Sequence, residues 1–195
     1  MDAKRVRELV ETLDNLRRER IKLTGRDPND HTKYFLYPPV NSKTIALSEK
    51  QSGFRYPKSY RSFLALHNGW LGFWPDWTLV GIPRPDNEAM YKDIAMNLDL
   101  LPKVVDSKTL QELPEREKTD PNRMLLTNHA ILATDFNGSF LIFDRNRIGQ
   151  DGEPEVAWVH YLQHVERRWS NFEALMVDAI RDTEADVTRL RSQKT

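Results

Sequence analysis

The stretch YPKSYRSFLALHNGWLGFWPDW, residues 56–77, constrains the fold of this chain more than any other part. Pro57 suits the first position of a helix, where its missing N–H costs no hydrogen bond. Ring-bearing and apolar residues then recur at helical spacing: Tyr60, Phe63, Leu64 and His67. Asn68-Gly69 predicts the end of this helix, because glycine readily adopts the left-handed conformation that is common there.

Three of the chain's five tryptophans follow within eight residues, on a segment that Gly72 and Pro75 interrupt. Such an aromatic cluster is either part of a core or a contact surface. The interruptions make it difficult for every ring to face one core, so an aromatic left at the surface would anchor a partner. Asp76 could pair with basic groups of that partner. The predicted partner-binding residues are Trp70, Phe73, Trp74, Asp76 and Trp77. The alternative is that all four rings fill the core.

Residues 2–24 predict an amphipathic helix that ends near Gly25. Its apolar stripe consists of Val6, Leu9, Val10, Leu13, Leu16 and Ile21. Its arginines are Arg5, Arg7, Arg17, Arg18 and Arg20, and acidic residues are interleaved with them. This mixture favours a solvated helix face over a nucleic-acid-binding one. The apolar stripe must pack on something, either the main sheet or a second copy of the chain.

The second half of the chain is rich in predicted strands. Asn137-Gly138 is its strongest hairpin signal and separates apolar runs at residues 130–135 and 139–144. Residues 155–161 continue the antiparallel meander. The sequence SNFE at residues 170–173 predicts a capping box that opens a closing helix.

Strands grouped in the middle, with helices at both ends, predict an α+β fold. Its sheet is expected to be antiparallel or mixed and covered by helices on one face. The chain is predicted to be a single domain over residues 1–195, with an N-terminal helical extension at residues 1–25. Residues 102–123 are rich in proline and charge, which predicts a charged loop insertion.

Composition excludes several classes of function. Lys plus Arg equals Asp plus Glu, at 29 each, so binding of nucleic acid through neutralised phosphates is not indicated. The chain has no cysteine, which excludes disulfides, thiolate catalysis and cysteine-based zinc sites. No apolar run approaches the length of a membrane span, and the first residues lack a signal-peptide core. These observations predict a cytoplasmic protein that contacts no membrane.

His160 and His164 are four residues apart, which would place both imidazoles on one side of a helix. The intervening residues contain no glutamate to act as a general base, and the pair falls where a strand is expected to give way to a helix. No third ligand is evident, so a metal site is not predicted here.

Residues 144–155 partly resemble a calcium-binding loop. Asp144, Asn146, Gly149 and Glu155 occupy its first, third, sixth and twelfth positions. Ile148, however, stands where an oxygen ligand is required, and strands are expected on both sides. A turn between two strands is therefore predicted. The sequence also lacks a nucleophile elbow and a phosphate-binding glycine loop. The prediction is a protein that is not an enzyme and holds no metal and no cofactor.

Three motifs together resemble the SUKH superfamily, which contains the yeast cell-wall-assembly regulator and many bacterial immunity proteins. The first motif, P-x-x-Y-x-x-F-L-x-x-x-N-G, is matched by Pro57, Tyr60, Phe63, Leu64, Asn68 and Gly69. The second is ILATDFNGSFLIFD, where the family has a hairpin, and the third is WSNFEALM, similar to the family's closing helix. The motifs occur in the family's order over about residues 45–180.

The resemblance implies an immunity protein that binds a cognate secreted toxin and masks its active site without catalysis. Such toxins include nucleases, deaminases and other secreted effectors, and they act in polymorphic toxin systems for interbacterial competition. The alternative is a regulatory scaffold of the same superfamily that binds signalling or cell-wall enzymes, and a hydrolase with an unrecognised site is a third, weaker hypothesis. The protein is expected to be a monomer or a homodimer, because the N-terminal helix could serve dimerisation.

Overall fold

In the computed structural model of the chain, the described residues are 3–30, 34–75, 77–88, 90–92, 94–96, 108, 111–112, 115, 120, 129–160 and 164–194. The helices with defined bounds are α1 (Ala3–Leu23), α2 (Ser42–Ser52), α3 (Lys58–Leu64) and α4 (Phe172–Ser192). The strands are β1 (Phe35–Leu36), β2 (Gly69–Trp74), β3 (Trp77–Val80), β4 (Ala130–Thr134), β5 (Ser139–Ile148), β6 (Pro154–His160) and β7 (Val165–Trp169). A 3-10 turn covers Pro85–Asn87.

The chain divides into two units, one formed by Met1–Ile82 with Asn171–Thr195 and the other by Pro83–Ser170. Strands β1, β2 and β3 pair antiparallel in the first unit, and β4 to β7 pair antiparallel in the second. The predicted α+β class and antiparallel pairing are therefore confirmed. The expectation of a single domain over residues 1–195 stays a prediction.

Helix α1 packs against α4 in the first unit, and its apolar stripe lies inside its own chain. Arg5 pairs with Glu173 at 3.0 Å near the start of both helices, and Arg20 pairs with Asp186 at 2.5 Å further along. The order of these pairs shows that the two helices run in parallel. Packing on α4 explains the amphipathic pattern without a second copy of the chain.

The buried stripe of α1 differs from the predicted one at one position. Leu16 is only half-buried, whereas Arg17 is buried. Arg17 lies four residues after the buried Leu13 and four before the buried Ile21, so it continues the helical period. The assignment of Arg17 to a solvated face was wrong. The pattern of interleaved charges does not distinguish Arg17 from the other arginines of the same helix.

The stretch from Pro57 onward forms a short helix and then a strand. Helix α3 ends at Leu64, with Pro57 as its N-cap, so His67 and Gly69 are not part of the helix end. Gly69 instead begins β2, with φ of +107°. The aromatic segment that Gly72 and Pro75 interrupt is therefore the β2–β3 hairpin.

The described part of the second unit is a meander that includes β7, a strand that the sequence did not predict. Strand β7 was missed because only Val165 and Trp169 at its ends are buried. Buried and exposed residues therefore alternate too weakly along it to predict a strand. The predicted Asn137-Gly138 hairpin is present between β4 and β5. Helix α4 begins one residue later than the capping box suggested, because Asn171 is the N-cap and its side chain accepts from the N–H of Ala174 at 2.9 Å.

Most of the predicted loop insertion, residues 102–123, lies outside the described residues, as does Asp76. The apolar residues 124–127, which precede the first predicted strand of the second half, also lie outside them. Four described residues within the insertion are helical: Lys108, Gln111, Glu112 and Glu115. Within the part of the chain that the structure describes, no helix combines the length and apolar character that crossing a membrane requires.

Candidate partner-binding site

The β2–β3 hairpin contains all the predicted aromatic contact residues, and the structure buries every one of their side chains. Trp70 and Phe73 are fully buried. Trp74 and Trp77 are opposite each other across the hairpin and retain exposed fractions of only 8% and 6%. Three of the rings form a continuous cluster, since Trp70 and Phe73 have centroids 6.4 Å apart and Phe73 and Trp74 have centroids 6.3 Å apart.

A β-bulge explains how the hairpin directs these rings inward. The register of β2 against β3 shifts between Trp70 and Trp74, and Gly72 within this interval has φ of +69°. In a regular strand Trp70 and Phe73 would point to opposite faces, because side chains alternate. Between the pairs Trp70–Leu79 and Trp74–Trp77, β2 advances four residues while β3 advances two, so β2 contains two extra residues and the regular alternation is interrupted. Both rings can therefore be buried, and Gly72 supplies the positive φ that a residue with a side chain rarely adopts.

Arg17 of α1 is bonded to the backbone at this bulge. Its Nε donates to the carbonyl oxygen of Gly72 at 2.8 Å, and the residue is only 5% exposed. A bulge disrupts the ladder of strand hydrogen bonds, so its backbone groups need other partners. Arg17 supplies such a partner from a different element. The N-terminal helix therefore helps to fix the conformation of the aromatic hairpin.

A second polar contact joins α1 to the same cluster. The hydroxyl of Tyr34 donates to Asp14 of α1, and Arg18 donates to the other carboxylate oxygen of Asp14 at 2.9 Å. Arg18 also lies over the Tyr34 ring, 5.3 Å from its centroid, and this ring meets Trp70 edge-on at 6.2 Å. Burial, reinforced by the bond to Asp14, raises the pKa of Tyr34, so its hydroxyl remains a proton donor.

The residues of the first sequence motif hold the end of β3. The Tyr60 hydroxyl donates to the carbonyl of Val80. The buried side-chain amide of Asn68 pairs with the backbone of Ile82 twice, donating from Nδ2 at 2.8 Å and accepting at Oδ1 at 2.6 Å. Gly81 lies so close that an added Cβ would be 2.0 Å from the Asn68 carbonyl oxygen. These contacts are structural and fix the position of α3 on the hairpin.

The first and third sequence motifs meet in one aromatic core. Phe172 of α4 contacts Tyr60 and Phe63 of α3, with ring centroids 5.4 and 5.8 Å apart. Tyr60 and Phe63 are also stacked on each other at 5.8 Å. The motif residues therefore build the interior of the first unit.

The structure describes four of the five predicted site residues, the aromatic ones. The expectation that an aromatic ring would be left at the surface is wrong, because all four rings are buried. Asp76, the fifth predicted residue, lies outside the described residues. A contact role for the hairpin remains a prediction, and it now depends on the turn between Trp74 and Trp77.

In the second unit, a charged cluster surrounds the buried Asp144 near the middle of β5. Arg168 of β7 donates from Nη1 to Asp144 at 2.8 Å and to Glu155 of β6 at 3.3 Å. The backbone N–H of Asn146 donates to the other Asp144 oxygen at 2.9 Å. The Nδ1 atom of buried His129 accepts from the backbone N–H of Arg145 at 3.2 Å. These bonds tie three strands and the turn before β4 together.

The two weak metal motifs correspond to strand hairpins. Asp144 and Glu155, the ends of the calcium-like pattern, both pair with Arg168, and strands β5 and β6 flank the turn as predicted. His160 is the last residue of β6 and His164 directly precedes β7, and the N–H of His160 donates to the carbonyl of His164 at 2.9 Å. The expected change from strand to helix at this pair was wrong. Among the residues that the structure describes, no three histidine, aspartate or glutamate side chains are grouped as metal ligands would be.

Comparison with known proteins identifies a family. The family model described as the SMI1 / KNR4 family (SUKH-1) matches residues 39–178. The matched range contains α2, α3, strands β2 to β7 and the beginning of α4, whereas α1 lies outside it. No curated protein matches the chain.

Proposed function

Because the chain belongs to the SMI1/KNR4 family (SUKH-1), we propose that it is an immunity protein that binds a cognate bacterial toxin and neutralises it. The toxin is a nuclease, a deaminase or another secreted effector, and the immunity protein acts in the cytoplasm of the cell that must be protected. The family match over residues 39–178 is the observation that carries this proposal.

The proposed mechanism is stoichiometric masking of the toxin's active site. A folded protein can block an active site by covering it, and this requires no reacting group on the inhibitor. Affinity then comes from a few well-packed side chains and from charges that complement those of the partner. Inhibition by this mechanism is complete when one molecule of inhibitor is present for each molecule of toxin.

The turn of the β2–β3 hairpin is one proposed contact with the toxin. Trp70 and Phe73 are fully buried, so they support the hairpin from inside. Trp74 and Trp77 are buried as well, so the contact proposed here rests on Asp76. Asp76→Ala is expected to weaken toxin binding while the melting temperature stays unchanged.

The alternative within the same family is a regulatory scaffold that binds signalling or cell-wall enzymes and inhibits none of them. The two functions differ in what the neighbouring gene encodes and in whether the partner is inhibited. A toxin-encoding reading frame immediately upstream favours immunity.

Co-expression tests the proposal. The toxin domain encoded beside this gene is expressed from an inducible promoter in a susceptible bacterium, with and without this protein. The proposal predicts arrested growth with the toxin alone and normal growth when both are expressed. A toxin with its active site inactivated serves as the control for expression load. Continued growth arrest in the presence of well-expressed folded protein would contradict the proposal.

A further inference from the structure

The chain contains the dipeptide Asn-Gly twice, and the fold places the two copies in opposite environments. Asn68 directly precedes β2, whose first residue is Gly69, and Asn137-Gly138 lies in the turn between β4 and β5. An asparagine before a glycine is prone to spontaneous deamidation, because glycine has no side chain to obstruct attack by its own backbone nitrogen. The surroundings of each asparagine therefore decide whether it reacts in the folded protein.

The reaction is an intramolecular displacement that needs only water. The backbone nitrogen of the glycine loses its proton to solvent and forms a bond to Cγ of the asparagine side chain. The bond from Cγ to Nδ2 breaks, and Nδ2 takes a proton from solvent and leaves as ammonia. The five-membered imide that results takes up one water molecule and opens to aspartate or isoaspartate. One water is consumed and one ammonia is released, with no oxidant or reductant.

Asn137 meets the requirements of this reaction. The residue is exposed, and its side-chain amide forms no hydrogen bond with any described residue, so it can rotate toward the next backbone nitrogen. The N–H of Gly138 likewise donates to none of the residues that the structure describes. Gly138 itself is buried, yet both imide carbonyl carbons that water attacks belong to the exposed residue 137. No hydrogen bond of either reacting group has to break before the attack.

Hydrogen bonds elsewhere in the turn leave these two groups available. The Asp135 carboxylate oxygen Oδ1 accepts from the backbone N–H of Asn137 at 2.8 Å and from that of Ser139 at 2.9 Å. The Thr134 hydroxyl accepts from the N–H of Phe136 at 3.0 Å. The bonds to Asp135 bracket Gly138, so the turn keeps its conformation without using the Asn137 amide or the Gly138 N–H.

Asn68 fails the same requirements. It is fully buried, its Nδ2 donates to the carbonyl of Ile82 at 2.8 Å, and its Oδ1 accepts from the N–H of Ile82 at 2.6 Å. Both bonds must break before Cγ can turn toward the nitrogen of Gly69. Gly69 is also held in β2, where it pairs with Val80 of β3. Deamidation of Asn68 therefore requires local unfolding of this part of the first unit.

We propose that Asn137 is a site of spontaneous deamidation in the folded protein and that the fold protects Asn68 from it. The product adds a carboxylate to the turn and changes the formal net charge of the chain from zero to minus one. Isoaspartate also adds one carbon atom to the main chain, at the residue whose N–H donates to Asp135. The modification is irreversible and accumulates with the age of the molecule. It requires no partner, so it is independent of the proposed function.

The test follows the mass of two tryptic peptides while the purified protein is incubated at neutral pH and physiological temperature. Trypsin cleaves after lysine and arginine but not before proline, which places Asn137 in residues 124–145 and Asn68 in residues 62–92. Deamidation raises the mass of a peptide by about 1 Da, and fragmentation of the peptide locates the modified residue. In the native protein Asn137 is expected to react about tenfold faster than Asn68 or more, because Asn68 reacts only from locally opened molecules. In guanidinium chloride, where the fold is lost, the two residues should react at similar rates.

Asn137→Gln is the matched control. Glutamine would have to form a six-membered ring, which closes much more slowly, so residues 124–145 of this variant should keep their mass. The side chain at residue 137 is exposed, and the variant should therefore melt at the wild-type temperature.

Three results would overturn the proposal. The first is that native Asn137 stays unmodified over a period in which it reacts in guanidinium chloride, because the turn would then be protected as well. The second is that Asn68 and Asn137 react equally fast in the native protein. The third is a mass increase in residues 124–145 that fragmentation assigns to Asn128 alone. Selective modification of Asn137 in the native protein, lost in Asn137→Gln, supports the proposal.

Discussion

Replacement of Arg17 by methionine tests the link between α1 and the aromatic hairpin. Methionine keeps an unbranched side chain of similar length, so the packing of the arginine stem is largely retained. The hydrogen bond from Nε to the Gly72 carbonyl, 2.8 Å long, is lost. A hydrogen bond that involves a charged group contributes about 1.5–3 kcal/mol net. Arg17→Met is therefore expected to lower the free energy of unfolding by about 2 kcal/mol.

Urea unfolding followed by tryptophan fluorescence measures this loss, because Trp70, Trp74 and Trp77 lie in the hairpin that Arg17 supports. In a chain of this length, 2 kcal/mol corresponds to a fall in melting temperature of about 4–8 °C. Arg7→Met is the matched control on the same helix. Arg7 is exposed, and its replacement should change stability by less than about 0.5 kcal/mol. If both variants are as stable as the wild type, the Arg17 bond does not stabilise the bulge.

Three further predictions follow from the same unit. Gly81→Ala should cost about 3 kcal/mol or more, because the new Cβ would be 2.0 Å from the Asn68 carbonyl oxygen. Gly25→Ala, with open space around its Cβ, should cost only about 1 kcal/mol of backbone strain. Trp74→Ala should lower the free energy of unfolding by about 3–5 kcal/mol in the same assay. A large loss of toxin affinity at unchanged stability would instead show that this ring contacts the toxin. Burial lowers the pKa of His67, so the unfolded state binds the proton more readily and stability should fall as the pH drops below about 6.5. His67→Gln should flatten this part of the profile of unfolding free energy against pH, and an identical slope in both proteins would refute the assignment.

Much of the fold follows from local patterns in the sequence. The helical period of Val6, Leu9, Leu13 and Ile21 predicts α1 and its buried side. The Asn137-Gly138 turn predicts the β4–β5 hairpin, because few residue pairs adopt the backbone conformation that a tight hairpin needs. The partner of α1 was not predictable, since α4 lies almost the whole chain away and no local pattern encodes their pairing.

The candidate site was less predictable, because its arrangement depends on contacts between distant residues. A glycine in a strand signals either an interruption or a bulge, and only the register of β2 against β3 shows that Gly72 forms a bulge. Arg17 was missed for a related reason, since its partner, the Gly72 carbonyl, is a backbone group on another element. Its position four residues after Leu13 and four before Ile21 was the available signal.

Titration of the adjacent-gene toxin domain with this protein tests the central claim most directly. The activity of the toxin is measured at a toxin concentration well above the dissociation constant, while the purified protein is added stepwise. Masking of the active site predicts that activity falls linearly and reaches zero at one molar equivalent. Full toxin activity in a large excess of folded protein would contradict the claim, and a stable complex with undiminished activity would identify a scaffold instead.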